Sequence, residues 1–142
     1  MNAAELACGL ELTSKIAAIV NLVKRDYPDM RADLRPWADD PHTQNLVDPD
    51  SIDLGFHLPG WSRRWQARSL LVQVRLHGEE GGDRRAIGIE IVGFSYFGEQ
   101  WRFSTVAGGV FTGQNCPIEE IRQQLRDTSG QILALLNPAI DP

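Results

Sequence analysis

Residues 70–76 read Leu70-Leu71-Val72-Gln73-Val74-Arg75-Leu76, and residues 52–58 read Ile52-Asp53-Leu54-Gly55-Phe56-His57-Leu58. In a β-strand successive side chains point to opposite faces, so such alternation places Leu70, Val72, Val74 and Leu76 on one side and a mostly polar set on the other. Ile52, Leu54, Phe56 and Leu58 repeat the pattern, with Asp53, Gly55 and His57 facing away. Two more segments complete it. Ile87, Ile89 and Ile91 are expected inward from one strand, and Trp101 and Phe103 from another. Four one-sided strands predict an antiparallel sheet with one apolar and one polar face.

The connections between them carry turn chemistry. Pro59-Gly60 is expected to end the first strand, and the glycine-rich run 78–83 to close a hairpin between the second and third. A second reversal falls within residues 93–99. Centred on Tyr96, it puts Trp101 and Phe103 on the isoleucine face and sets Glu90 opposite Arg102, a pairing of opposite charges that contributes ~0.2–1 kcal/mol. A turn at Gly98-Glu99 instead slips the pairing by one residue and sends Trp101 and Phe103 to the other face, beside Val92 and Phe94. Gly108-Gly109 marks a bend or bulge after the fourth strand, which Val110-Phe111-Thr112 extends.

Helical periodicity brackets the sheet. Leu12, Ile16, Ile19, Val20 and Val23 form an apolar stripe that predicts an amphipathic helix over residues 3–26, with Gly9 a point of interruption and Pro28 the stop. Ile118, Ile121, Leu125, Ile132 and Leu136 form a second stripe. Pro117 suits its first position, and Glu119 and Glu120 suit the positive end of the helix dipole. The expected organisation of the 142 residues is one α+β domain. It has an N-terminal helix over 1–27, a long acidic, proline-containing loop over 28–50, a curved four-stranded antiparallel sheet over 51–112 and a long C-terminal helix over 117–137, with both helices on the apolar face.

Apolar residues make up 42% and charged residues 23%, a globular composition that needs no metal or disulfide staple. Cys8 and Cys116 lie far apart without CxxC spacing and read as free thiols. The formal net charge of -5 disfavours a polyanionic partner on average. No basic start with an apolar run, and no apolar stretch of membrane-spanning length, is present in these residues, so the expectation is a cytoplasmic protein with no membrane partner.

The common catalytic signatures are absent: no GxSxG, no GxxxxGK[ST], no HExxH and no GxGxxG after a strand. Chemistry therefore has to come from the outward sheet positions, where His57, Gln73, Arg75, His77, Glu90 and Arg102 project together. Such a face is ordinarily just solvated. His57 and His77 suit acid-base work because imidazole titrates near neutral pH, but no third ligand stands at a diagnostic spacing, and neither a metal nor another cofactor is expected. The aspartates of the long loop, Asp29, Asp33, Asp39, Asp40, Asp48 and Asp50, fail the EF-hand spacing and read as turn residues. Trp61, Arg63, Arg64, Trp65 and Arg68 form a compact aromatic and basic segment. Rings that stack on bases beside arginines that neutralise phosphates make a single-strand binder; equally, the tryptophans can anchor a crossover while the arginines stay in water.

The order of four strands followed by a helix, from Ile52 to Leu136, resembles the repeated unit of the whirly-like fold of single-stranded-DNA-binding transcriptional regulators. The phrase Phe94-Ser95-Tyr96-Phe97-Gly98-Glu99-Gln100-Trp101-Arg102 resembles small uncharacterised cyanobacterial proteins. The first resemblance implies a homodimer joined through helices, since one helix on a four-stranded sheet leaves apolar surface to cover. Three functional readings follow. The leading one is a non-catalytic binding or assembly module with a protein or small-molecule partner. The others are single-strand binding through the Trp/Arg segment with Arg75 and Arg102, and a small enzyme using His57 or His77 with Glu90.

Overall fold

The computed structural model describes residues 2–6, 10–36, 51–78 and 85–137. It contains helices α1 (Ala3–Leu6), α2 (Leu10–Asp26) and α3 (Glu119–Leu136). Its strands are β1 (Arg31–Asp33), β2 (Ser51–Ser62), β3 (Ala67–His77), β4 (Arg85–Ser95), β5 (Gly98–Ser104) and β6 (Val110–Gly113). The strands form one antiparallel meander in the order β1-β2-β3-β4-β5-β6.

The sheet therefore has six strands, not four. The two additions are the edges, of three and four residues. Strands this short carry too little alternation to register as a pattern, and short edges expose little unpaired backbone. β1 lies inside what reads as a loop; residues 37–50, with Asp39, Asp40, His42, Asp48 and Asp50, lie outside the described residues, as do Cys8 and Gly9. Gly108 and Gly109, with φ of +82° and +71°, turn the chain so that β6 becomes a separate strand paired to β5 instead of an extension of it.

One face carries the core. Ile52, Leu54 and Phe56 of β2, Leu70, Val72 and Val74 of β3, Ile89 and Ile91 of β4, and Trp101 and Phe103 of β5 pack with Ile16 and Ile19 of α2 and Ile121, Leu125 and Ile132 of α3. Both helices cover the apolar face, as their stripes require. Asn137, capping α3, ties it to the sheet: the Ala86 N–H donates to Asn137 Oδ1 at 3.1 Å, and Asn137 Nδ2 donates to the Ala86 carbonyl. Trp65 also joins the core, edge-on to Tyr27 at 4.7 Å, and its carbonyl accepts from Trp101 Nε1 at 2.8 Å.

Three register expectations are corrected. β2 does not end at Pro59-Gly60 but runs to Ser62 through a register irregularity. β1 pairs β2 only up to His57, so Pro59 sits where no neighbour on that side needs its missing N–H. Ile87 is 54% exposed, not inward, because a bulge places Arg75 opposite Gly88 and Leu76 opposite Ala86. The β4–β5 reversal is a two-residue turn at Tyr96-Phe97, and a bulge at Gln100 then resets the pairing so that Gly93 faces Trp101 and Ile91 faces Phe103. Trp101 and Phe103 thus lie on the isoleucine face. Glu90 faces Ser104 and Arg102 faces Val92, two residues away from the expected charge pair.

Candidate functional site

The second face of the sheet is ordered by its register into rows. His57, Ser69 and Phe94 are neighbours in one row; Asp33, Gly55, Leu71, Val92 and Arg102 lie in the next; Asp53, Gln73, Glu90 and Ser104 in the third. Its centre is not a solvated surface. Leu71 and Val92 are buried and pack with Phe94 as a small second apolar cluster. Asp53 is 0% exposed and accepts from Ser51 Oγ at 2.6 Å and from Gln73 Nε2 at 3.2 Å. Arg75 Nε donates to Glu90 Oε2 at 2.9 Å. Both carboxylates on this part of the face accept hydrogen bonds, Asp53 from neutral donors and Glu90 from Arg75, which is how buried or half-buried charge is made tolerable.

The row nearest the Tyr96-Phe97 turn is different, because there a cavity of about 190 Å³ opens. Leu71 and Phe94 line it with Gly55, and His57, Ser69, Arg68, Ser95, Tyr96 and Pro36 complete the walls. Gly55 is needed for the close approach of the chain here: a Cβ on it would stand 3.2 Å from Pro36 Cβ and 3.3 Å from Asp33 Cβ. Beside the cavity, Ser69 Oγ is 2.9 Å from His57 Nδ1 on the neighbouring strand, and His57 Nε2 is 3.2 Å from Asp33 Oδ2. The Arg68 guanidinium lies over the Tyr96 ring, 3.8 Å from its centroid. Arg68 Nε is buried without a hydrogen-bond partner, and Arg68 makes no ion pair among the described residues.

The residues expected to share a site are thus divided. His57 lines the cavity; Glu90, two rows away, is engaged by Arg75; Gln73 is buried on Asp53. His77 is exposed at the end of β3, opposite Arg85, and Arg102 pairs with Glu99 at 2.8 Å. The Trp/Arg segment is split in the same way. Trp65 is in the core and Arg64 reaches Glu120 at 2.9 Å, while Trp61 and Arg63 remain exposed and Arg68 turns to the cavity. Trp61 (46% exposed) shares a surface hollow with Tyr96, Phe97, Ser95 and Gln100, and Phe97 is 96% exposed at the hairpin tip. A further hollow of about 400 Å³ lies between Tyr27-Pro28-Asp29 and the Leu58-to-Ser62 part of β2.

Asp33 and Ser69 are the site residues that sequence reading misses. Asp33 sits among six aspartates and in a three-residue strand, so nothing local marks it. Ser69 has the same parity as Gln73 and Arg75, and extending the outward set of β3 by one position would have found it. Among the described residues no group of three His, Cys, Asp or Glu side chains is placed to hold a metal ion, and Cys116 is a free, half-buried thiol.

A family model described as a domain of unknown function matches residues 4–138. The chain belongs to that family. The match spans both terminal helices and the whole sheet, so the fold above is the family's domain and not an appendage to it. No curated protein and no solved structure matches the chain, and the likeness to the whirly-like fold has only strand order behind it, which the two extra strands do not share. No described helix is long and apolar enough to cross a membrane.

Proposed function

We propose that this domain is a ligand-binding module whose site is the cleft between Arg68, His57, Ser69 and Tyr96, and whose ligand is a small planar anion of one ring. Arg68 carries this reading. A guanidinium beside a cavity, without an acidic partner among the described residues and with its Nε buried and unsatisfied, is suited to a carboxylate, because a buried donor left unpaired is costly and a charge-assisted pair is strong. Size supports one ring: a cavity of ~150 Å³ accommodates benzene, and this one is about 190 Å³. Leu71 and Phe94 supply an apolar surface for the ring, with few convergent polar groups around it, the usual make-up of a small-molecule site.

Calorimetric titration with benzoate and with its neutral amide tests the proposal. Benzoate is expected to bind more tightly, and Arg68→Met to weaken it by roughly tenfold to a hundredfold, the range for a hydrogen bond to a charged group. Equal affinity for acid and amide, or full affinity in Arg68→Met, would exclude it.

A second reading has its own observation. Trp61, Tyr96 and Phe97 are large exposed rings around one hollow, and the exposed Arg63 follows Trp61 by two residues, which supports stacking on an unpaired strand. Binding of a labelled oligonucleotide that weakens steeply with added salt is its expected signature, and no binding at low salt removes it. A cytoplasmic location and a homodimer belong to this proposed picture. Light scattering at twice the chain mass supports the dimer, and a strict monomer ends it.

A further inference from the structure

We propose that Ser69 is a nucleophile activated by His57 and Asp33, and that the cleft hydrolyses small carboxylic esters. The proposal rests on the same cleft as the binding reading and deepens it: the single-ring carboxylate would be the product, and its ester the substrate. A nucleophilic hydroxyl is recognised by a base within hydrogen-bond reach that is itself oriented by a third group. Ser69 Oγ to His57 Nδ1 at 2.9 Å and His57 Nε2 to Asp33 Oδ2 at 3.2 Å meet both conditions, on three different strands. Asp33 fixes the tautomer: with the proton on Nε2 donated to the carboxylate, Nδ1 is left as the acceptor for the serine hydroxyl. Ser69 and His57 both line the cavity, so an ester bound there would reach the hydroxyl. Both backbone flanks of Ser69 face neighbouring strands, so the positive group available for a developing oxyanion is the Arg68 side chain.

The steps balance without any co-reactant but water. Ser69 Oγ attacks the ester carbonyl carbon and its proton passes to His57 Nδ1. The tetrahedral intermediate collapses, the bond from carbonyl carbon to alkoxy oxygen breaks, and the leaving alkoxide takes the proton from Nδ1 to depart as an alcohol. Water then attacks the acyl-serine carbonyl, gives a proton to Nδ1, and the bond to Oγ breaks. Oγ recovers that proton, and the carboxylic acid leaves and ionises. The competing account is that Ser69 and His57 bond because they are direct cross-strand partners. That account predicts an inert hydroxyl.

The test is covalent labelling of the intact chain with a fluorophosphonate probe, with the modified residue located by peptide mass, alongside release of 4-nitrophenol from 4-nitrophenyl benzoate. Expected are labelling at Ser69, protection by benzoate, loss of both signals in Ser69→Ala, and a fall in labelling rate of roughly a hundredfold or more in His57→Gln, the size of a general-base contribution. Asp33→Asn serves as the second variant should His57→Gln melt early. Benzoate binding without labelling of Ser69 overturns the nucleophile and leaves the binding reading intact. Labelling at Ser69 without affinity for benzoate upholds the nucleophile and removes the anion. A labelling rate unchanged in folded His57→Gln overturns the activation.

Discussion

At Gly93 the absence of a side chain is a packing requirement. A Cβ there would stand 2.2 Å from the Trp101 indole, which is fully buried and held by its hydrogen bond to the Trp65 carbonyl. Gly93→Ala is therefore expected to cost about 1–3 kcal/mol, the range for overpacking a filled core, read as a lowered denaturant midpoint at unchanged slope. Tyr27 offers a titration instead. Burial, reinforced by Asp26 and opposed by Arg64, pushes its phenol from 10.0 up to about 12. A folded-state pKa above the unfolded one means that the neutral phenol's contribution to stability is fully present below pH 10 and lost as pH rises through 12. The chain has two tyrosines, so an alkaline absorbance titration should show a tyrosinate step near pH 12 that disappears in Tyr27→Phe.

Among the elements, the β4 bulge decides which isoleucines matter. Ile87 is displaced to solvent while Ile89 stays fully buried. Ile87→Lys should change stability by no more than about 0.5 kcal/mol, whereas Ile89→Ala should cost about 2–5 kcal/mol. Equal costs in urea unfolding would put Ile87 in the core beside Ile89. The link between α3 and β4 is a second element-scale feature. Asn137→Ala removes two hydrogen bonds to Ala86, and a loss of about 1–3 kcal/mol is expected in the same assay.

For the whole molecule, the relevant fact is that residues from α2, α3 and strands β2 to β5 meet in one apolar cluster. Neither helix has its own core. Ile19→Ala and Ile132→Ala are each expected to lower the melting temperature of the entire domain, with helix circular dichroism and tryptophan fluorescence changing together. Separate transitions would show that a helix detaches from the sheet. Exposed polar surface is distributed unevenly on this frame. The third row of the second face is largely buried and hydrogen-bonded, whereas the row at the Tyr96-Phe97 turn is open and keeps an arginine without an acidic partner among the described residues. That asymmetry is what gives the domain a candidate site.

Much of this was legible in the chain's alternation. Period-two runs at 52–58 and 70–76 demand a sheet with one apolar face, and the stripes from Leu12 to Val23 and from Ile118 to Leu136 demand helices to cover it. Apolar side chains must leave water together, and that requirement is local enough to read residue by residue. What alternation does not encode is an inserted residue. The bulges near Ile87 and at Gln100 each change the pairing downstream, and they settled that Ile87 faces solvent and that Glu90 meets Ser104. Three-residue β1 has no period to detect, yet its pairing with Gly55 brings Asp33 beside His57. The Asp33, His57 and Ser69 cluster joins residues 24 and 12 positions apart, so no spacing along the chain announces it. Hydrophobic pattern chooses the layers; backbone pairing, summed across three strands and their irregularities, chooses which polar groups meet.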